Sequence, residues 1–292
     1  MARSVDSLKA FMAKGGRDDS YRLLPHVVVF GAGKGGVGTS ALAGLAALHA
    51  ARRGSEVLLV DADETVGSLH LMFGLQGEVP GLGSLRSGAV SPEDLVLEVA
   101  PGVTLFPGGG GGVDSTLSVA SAERRMLLRR VSGLYDRFDL VVVDGGSRLD
   151  SVMAACAAGA GRLVGVTTPD RIAQAAVYAL LKVTRGRFGA LPTELLVNRA
   201  TDTTGREVHQ LVHSASASFL GTTVAYGGAV AEDAELSDLL SAGGTLADLA
   251  HDGPALSSIG GIADRFAAEA EAHAAPPAPV IPLHGGGPYL SR

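Results

Sequence analysis

The chain has 292 residues, 46% of them hydrophobic and 4% aromatic, with a net charge of -6 and a single cysteine. This supplies apolar material for a sizeable core. The acidic balance argues against a general nucleic-acid surface, and one cysteine excludes an internal disulfide or a cysteine metal cluster and fits a reducing cytosol.

Residues 1–22 are polar, with Val5, Leu8, Phe11 and Met12 at helical spacing. They read as an N-terminal arm with a short amphipathic helix, either docked on the body or binding a partner. The arm has no apolar stretch of the kind a secretory signal needs. From His26 onward, buried-strand and helical runs alternate. Strands are expected at His26–Phe30, Glu56–Val60, Val103–Phe106, Leu140–Val143, Leu163–Thr167, Glu194–Val197 and Thr222–Ala225. Helices are expected around 39–53, 116–135, 149–159, 170–184 and 204–218, with a last one over Ile259–His273. Ser91-Pro92-Glu93-Asp94 combines a cap, a first-turn proline and two acids, the pattern of a helix start.

Near-continuous Val/Leu strands are buried on both faces. They predict an α/β fold: a doubly wound, mostly parallel sheet with helices on both faces. Residues 23–273 form this unit, with no internal boundary or repeat. Gly108–Gly112 reads as a mobile loop, and 274–292, with five prolines and the Gly285–Gly287 run, as a disordered tail. No apolar run reaches the roughly 20 residues of a membrane span. The last helix sets Arg265 against Asp264, Glu269 and Glu271, with mostly alanine as its apolar face, which suits packing on the sheet rather than membrane anchoring. Arg124, Arg125, Arg129 and Arg130 cluster on one predicted helix, read as a solvated face in preference to a DNA-binding one.

Four places at the carboxyl ends of predicted strands carry chemistry. In Gly31-Ala32-Gly33-Lys34-Gly35-Gly36-Val37-Gly38-Thr39-Ser40 a strand runs through a glycine loop into an alanine-rich helix. Backbone N–H groups from Gly35 to Ser40 can cradle phosphates, and the Ser40 hydroxyl can bind Mg²⁺. The lysine slot of the usual pattern holds Thr39, while Lys34, one of four lysines in the chain, follows the first glycine. Asp61 and Asp63 leave the next strand, where one carboxylate can hold a metal-bound water and the other can orient an attacking water. Strand-end capping explains such acids equally well. Asp144 ends an apolar strand, as the Mg²⁺ partner beside a phosphate loop does, and Gly145-Gly146-Ser147 after it could sense a γ-phosphate. Asn198, followed by Arg199, has the donor and acceptor that adenine recognition needs, though a capping asparagine is the plainer reading.

With these residues in place, the chain resembles the MinD/ParA family of P-loop ATPases with a deviant phosphate loop. The resemblance rests on GKGGVG and runs through LLVDADETVGSLHLMFGL, DLVVVD, TTPDRIAQAAVYALLK, LVNRATDTTGREVHQLV and EDAELSDLLSAGGTL, over roughly residues 26–250. Its look is nearest to the FlhG/FleN branch of flagellar-number regulators. The resemblance implies an ATP/ADP and Mg²⁺ site and a nucleotide-sandwich homodimer in the ATP state. It also implies slow hydrolysis in the cytoplasm, and a protein partner from a flagellar, pilus or division-site machine. Lys34 matches the lysine that reaches the partner's phosphates, Asp63 the acid that positions the hydrolytic water, and Asp61 and Asp144, with Ser40, the Mg²⁺ set. The nucleotide set is then Gly33, Lys34, Gly35, Gly36, Val37, Gly38, Thr39, Ser40 and Ala41 in the loop, and Asn198, Arg199, Glu232 and Asp233 on the base side.

The chain departs from the family pattern in three places. Thr39 removes a charge-assisted phosphate contact worth about 1.5–3 kcal/mol, as GVGTT-like loops of the TadZ/CpaE and BcsQ branches also do. Ala41 stands where a second threonine is common, and Gly145-Gly146-Ser147-Arg148 replaces the usual proline-containing segment. A second expectation therefore stands beside the first: a non-hydrolysing scaffold of the same fold.

Overall fold

The computed structural model describes residues 20–64, 67–109, 121–189, 191–249, 253–272 and 280–282. Eight strands form one sheet: β2 (Leu24–Ala32), β3 (Val57–Asp61), β4 (Leu97–Ala100), β5 (Val103–Phe106), β6 (Leu140–Asp144), β7 (Ala160–Thr167), β8 (Thr193–Asn198) and β9 (Ala225–Val230). Their order is β4-β5-β3-β6-β2-β7-β8-β9. All neighbours are parallel except β4 and β5. A short antiparallel pair, β1 (Ser20–Arg22) with β10 (Val280–Pro282), stands apart from the sheet.

The helices are α1 (Thr39–Arg52), α2 (Leu69–Met72), α3 (Ser121–Val131), α4 (Leu149–Ala157), α5 (Arg171–Phe188), α6 (Asp202–Leu220), α7 (Ala234–Ser241) and α8 (Pro254–Ala272). Side chains alternate across a strand, so β2 sends Val28 and Phe30 into one core and Val27 and Val29 into the other. α1 and α8 cover the first face, with Leu42, Leu45, Ile259 and Phe266 fully or almost fully buried. α3, α4 and part of α5 cover the second, which continues through α5 and α6 around Val177, Leu195 and Val208. This is the predicted doubly wound architecture. The last helix packs on the sheet as expected, its Phe266 ring edge-on to Phe30 at 6.3 Å. No helix among the described residues is long and apolar enough to cross a membrane.

Three local expectations are corrected. The cap at Ser91 is real, with Ser91 Oγ and N both donating to Asp94 Oδ2 at 2.7 and 3.0 Å. It starts only a 3-10 turn over Pro92–Asp94, because the chain turns at once into the edge strand β4. Of the expected Thr222–Ala225, residues Thr222–Val224 are a connection after the left-handed Gly221, and the strand begins only at Ala225. β9 contains Gly227 and Gly228 with a register shift against β8, so glycines suppress the strand signal that Thr222 and Thr223 raise falsely. The arginine cluster is no simple solvated face, since Arg124 is fully buried and Arg130 donates to the Leu85 and Val90 carbonyls. The expected arm helix, residues 110–112 of the glycine run, residues 116–120 of the predicted helix and most of 274–292 lie outside the described residues.

Candidate functional site

β2 leads through α1 to one side of the sheet, and β6 leads through α4 to β7 on the other side of β2. The winding reverses there, and such a reversal opens a crevice beyond the strand ends. Backbone bonds lace three of those ends together. Ala32 N donates to Gly146 O at 2.8 Å, Gly145 N to Phe30 O at 2.8 Å, and Ala62 N to Asp144 O at 2.9 Å.

The glycine loop occupies the crevice. Gly33 lies against the backbone of Ala176 in α5 so tightly that a β-carbon would collide with its carbonyl. Gly38 has φ 90°, the left-handed region that favours glycine, and its space for a β-carbon is filled by the Asn198 amide. Val37 is buried and anchors the loop in the core, while Gly33, Lys34, Gly35 and Gly36 are exposed. α1 starts at Thr39 with no side-chain cap and no acid in its first turn. Its N-terminal amides therefore keep their positive dipole for an external anion. Thr39 is buried, and Ser40 and Ala41 are half-buried at the first turn.

Asp61 and Asp144 stand opposite each other in the β3–β6 register. Both are buried, and neither has an ion-pair partner among the described residues. Asp61 accepts from the Asp63 and Leu69 amides at 3.0 and 3.3 Å. Asp144 lies beside the Ser40 hydroxyl and accepts from Gly146 N at 2.9 Å. Burial pushes the Asp61 carboxyl well above its usual range, and the neighbouring Asp144 adds to it. Burial likewise raises Asp144 to about 6, against the pull of the Ser40 and Gly146 donors. Two desolvated acids side by side call for a cation. Mg²⁺ sites that use one or two carboxylates plus phosphates have this donor set. Among the described residues no group of three or more His, Cys, Asp and Glu side chains forms a self-sufficient metal cage.

The structure thus brings Ser40, Asp61, Asp63, Asp144 and the loop together. Lys34 lies at the rim, 3.9 Å from Asp170, with its side chain 42% exposed. Asp170 caps α5 through Ala173 N at 2.9 Å and accepts from Thr168 Oγ1 at 2.6 Å. Asn198 donates to the Val37 carbonyl at 2.8 Å and accepts from the Arg199 amide at 2.9 Å, so it braces the loop. Arg199 has φ 56°, a left-handed conformation that costs a non-glycine residue energy. Asp233 caps two helices, accepting from Leu236 N in α7 and Ala255 N in α8, both at 3.0 Å. Its neighbour Glu232 is exposed at the same corner.

A second cluster escapes sequence reasoning. Arg124, fully buried, donates through Nε to Glu64 Oε2 at 2.6 Å, through Nη2 to Glu64 Oε1 and through Nη1 to Asp150. Burial pushes the Asp150 carboxyl up, but Arg124 and Arg148 outweigh it and hold the group below its usual range. One signal was readable in the sequence. Arg124 takes the core-facing position of an i, i+3, i+4, i+7 pattern with Leu127, Leu128 and Val131.

Residues 25–238 match the family described as cellulose biosynthesis protein BcsQ. The flagellum site-determining protein YlxH of Helicobacter pylori is 30% identical over 151 residues, 52% of this chain and 51% of that protein, so the match spans about half the relative's length. The cell division ATPase MinD of Pyrococcus furiosus superposes with a TM-score of 0.68 at 20% identity, over 86% of this chain and 100% of that one. The septum site-determining protein MinD of Pyrococcus horikoshii OT3, solved with Mg-ADP, gives 0.67 at 18% identity, over 82% and 95%.

Proposed function

The chain belongs to the BcsQ family of MinD/ParA-type P-loop ATPases, and from that premise we propose that it is a nucleotide-dependent positional switch. In this reading it binds ATP with Mg²⁺, dimerises in the ATP state and hydrolyses the nucleotide slowly. One juxtaposition carries the reading. An uncapped helix N-terminus behind a glycine loop lies beside Ser40 and two buried carboxylates without a cation among the described residues. Phosphate oxygens suit the exposed loop amides, and Asp61 and Asp144, with Ser40, would hold the ion. Magnesium, when bound, supplies positive charge shared between those residues and the phosphates.

The remaining roles follow position. Asp63, half-buried and tied to Asp61 through its amide, orients the attacking water. Lys34, exposed at the rim, serves the phosphate site of a second copy, and no lysine at position 39 serves its own. Asn198, Arg199, Glu232 and Asp233 form the base side. The family description concerns cellulose biosynthesis, and the relatives' names concern siting a flagellum or a septum. The two named relatives determine the site of a large assembly, so the partner is a protein of a flagellar, pilus, secretion or division machine.

Titration calorimetry with Mg–ATP, followed by phosphate release, tests this. Saturable magnesium-dependent binding and slow release that Asp63→Ala abolishes are expected, with sedimentation shifting to a dimer under ATP. No binding at saturating Mg–ATP overturns the reading. Binding without release leaves a nucleotide-gated scaffold, which the loss of charge at Thr39 favours.

A further inference from the structure

We infer that Arg124 is a positioning residue. It clamps the loop that leaves β3 to the start of α4, so that the two loops flanking the phosphate site hold one joint geometry. The inference rests on the reading that this site turns over ATP, and it adds a residue that touches neither nucleotide nor metal.

The geometry is specific. Glu64 directly follows Asp63, and its carboxylate takes both prongs of the buried guanidinium. The third donor goes to Asp150, in the first turn of α4. Between Asp144 and Asp150 the chain passes Ser147, whose Oγ lies 3.6 Å from the position a β-carbon would take on Gly35. One arginine from α3 therefore ties the neighbour of the proposed water-orienting acid to the segment that brushes the phosphate loop. Arg148 closes the set, with Nε and Nη2 both 3.4 Å from Asp150, so two cations balance two anions.

Stability alone is a poor reason for this arrangement. Buried ion pairs are commonly no better than well-packed apolar side chains of the same volume. The rest of that helix face, Leu127, Leu128 and Val131, is apolar and fully buried. A planar fork, however, fixes angles that an apolar contact leaves free. Small displacements of catalytic groups cost about a hundredfold in rate, so fixing the two loops against each other has a catalytic use.

Two measurements on the full-length chain decide the matter. The first is hydrogen exchange of the nucleotide-free protein carrying Asp150→Asn, a change at one end of the clamp. Faster exchange at Asp63, Glu64 and Gly67–Leu69, together with the first turn of α4 and with β7 unchanged, is expected. Faster exchange confined to residues 145–153 overturns the clamp. The second is Arg124→Lys, which keeps the charge, and with it a foldable protein, but loses the fork. It should lower kcat about tenfold to a hundredfold, with the nucleotide Kd unchanged and the exchange pattern of Asp150→Asn reproduced. Parallel loss of kcat and binding in proportion to the folded fraction would make Arg124 merely structural. If the wild-type protein binds Mg–ATP but releases no phosphate, the hydrolysis in the proposed function falls, while hydrogen exchange still decides the clamp.

Discussion

Two sets of buried acids, one at each end of the sheet, are handled in opposite ways. At the amino ends of the strands, Glu194 on β8 is held by Arg162 from β7 and by Arg265 from α8, at 2.6 Å for the latter. Arg162 also reaches Glu269, and both guanidiniums lie over the Phe266 ring, at 5.2 and 5.5 Å from its centroid. Two cations meet two anions, and the set ties β7, β8 and α8 together. At the carboxyl ends, Asp61 and Asp144 lie deeper and are balanced by no cation among the described residues. The Arg124 set beside them is balanced as well, so the Asp61–Asp144 pair is the exception among the buried charges of the described residues, and it is there that a ligand is proposed. Local conflict of this kind belongs at functional sites.

Breaking the satisfied end should have the largest effect. Arg162→Met leaves Glu194, 10% exposed, to Arg265 alone and takes that cation from Glu269, whose side chain is 39% exposed. Removing one partner of a buried pair typically costs about 3–5 kcal/mol, and the lower end is expected here because Glu269 and Arg265 keep contact with water. Urea denaturation should show the midpoint falling with an unchanged slope. Nucleotide affinity of the protein that remains folded should not change. If affinity fell with stability, the two ends would not be independent.

The same kind of change at the other end should act in the opposite direction. Asp144 has its carboxyl raised from the usual 3.8 to about 6. The folded protein therefore binds that proton more tightly than the unfolded chain. Stability from this group falls as pH rises from about 4 to about 6, and the cost is constant above that. Asp144→Asn should stabilise the nucleotide-free protein by about 1–3 kcal/mol at pH 7 and flatten that part of the pH profile. It should also abolish magnesium-dependent nucleotide binding. Thermal unfolding of both proteins from pH 4 to pH 8 checks the sign, and a destabilised variant would contradict the account of the pair.

Asn198 sharpens the comparison at smaller scale, because here the carboxyl end of the sheet does satisfy a group. Its amide serves the Val37 carbonyl, and both are buried. Asn198→Ala should cost about 1–2 kcal/mol by leaving that carbonyl unmet, measured by the same denaturation. Faster exchange of the Gly35–Gly38 amides should accompany it. An unchanged midpoint would mean that the loop keeps its shape without the brace.

How much of this was legible depends on the range of the interaction involved. The parallel strands announce themselves because each is a run of β-branched or aliphatic residues, and Val103–Phe106 has the bounds read from the chain. The positions of Gly33, Ser40, Asp61 and Asp144 at the strand ends were legible because a glycine loop between strand and helix and strand-end acids are local patterns. β4 and β9 were not: Leu97–Ala100 includes two exposed residues, and β9 carries two glycines. Glu64, Arg124 and Asp150 hide for another reason. Their pairing spans 60 and 26 residues of sequence, and an arginine among arginines looks like a solvated face until packing shows which one points inward. Asp170, the acid facing Lys34, lies 136 positions further along, too far for a local pattern to pair them.

Lys34 should have the smallest effect on the fold. Its side chain is substantially exposed, its contact with Asp170 is long at 3.9 Å, and surface pairs of this kind contribute little. Lys34→Ala should therefore leave the denaturation midpoint where it is. The loop around it is built from Val37, Gly38 and the Asn198 brace, none of which needs the lysine. If Lys34 serves a second copy, the same variant should lose ATP-driven dimerisation in sedimentation, with a loss of affinity of roughly tenfold to a hundredfold for one charge-assisted phosphate contact. Raised salt should weaken the wild-type dimer in the same direction, since an exposed charge reaching across an interface is screened. A residue that folding does not need and assembly does would complete the contrast with Arg162, which folding needs and nucleotide binding does not. A variant that dimerises normally with ATP would return Lys34 to the role of a solvated side chain held lightly by Asp170.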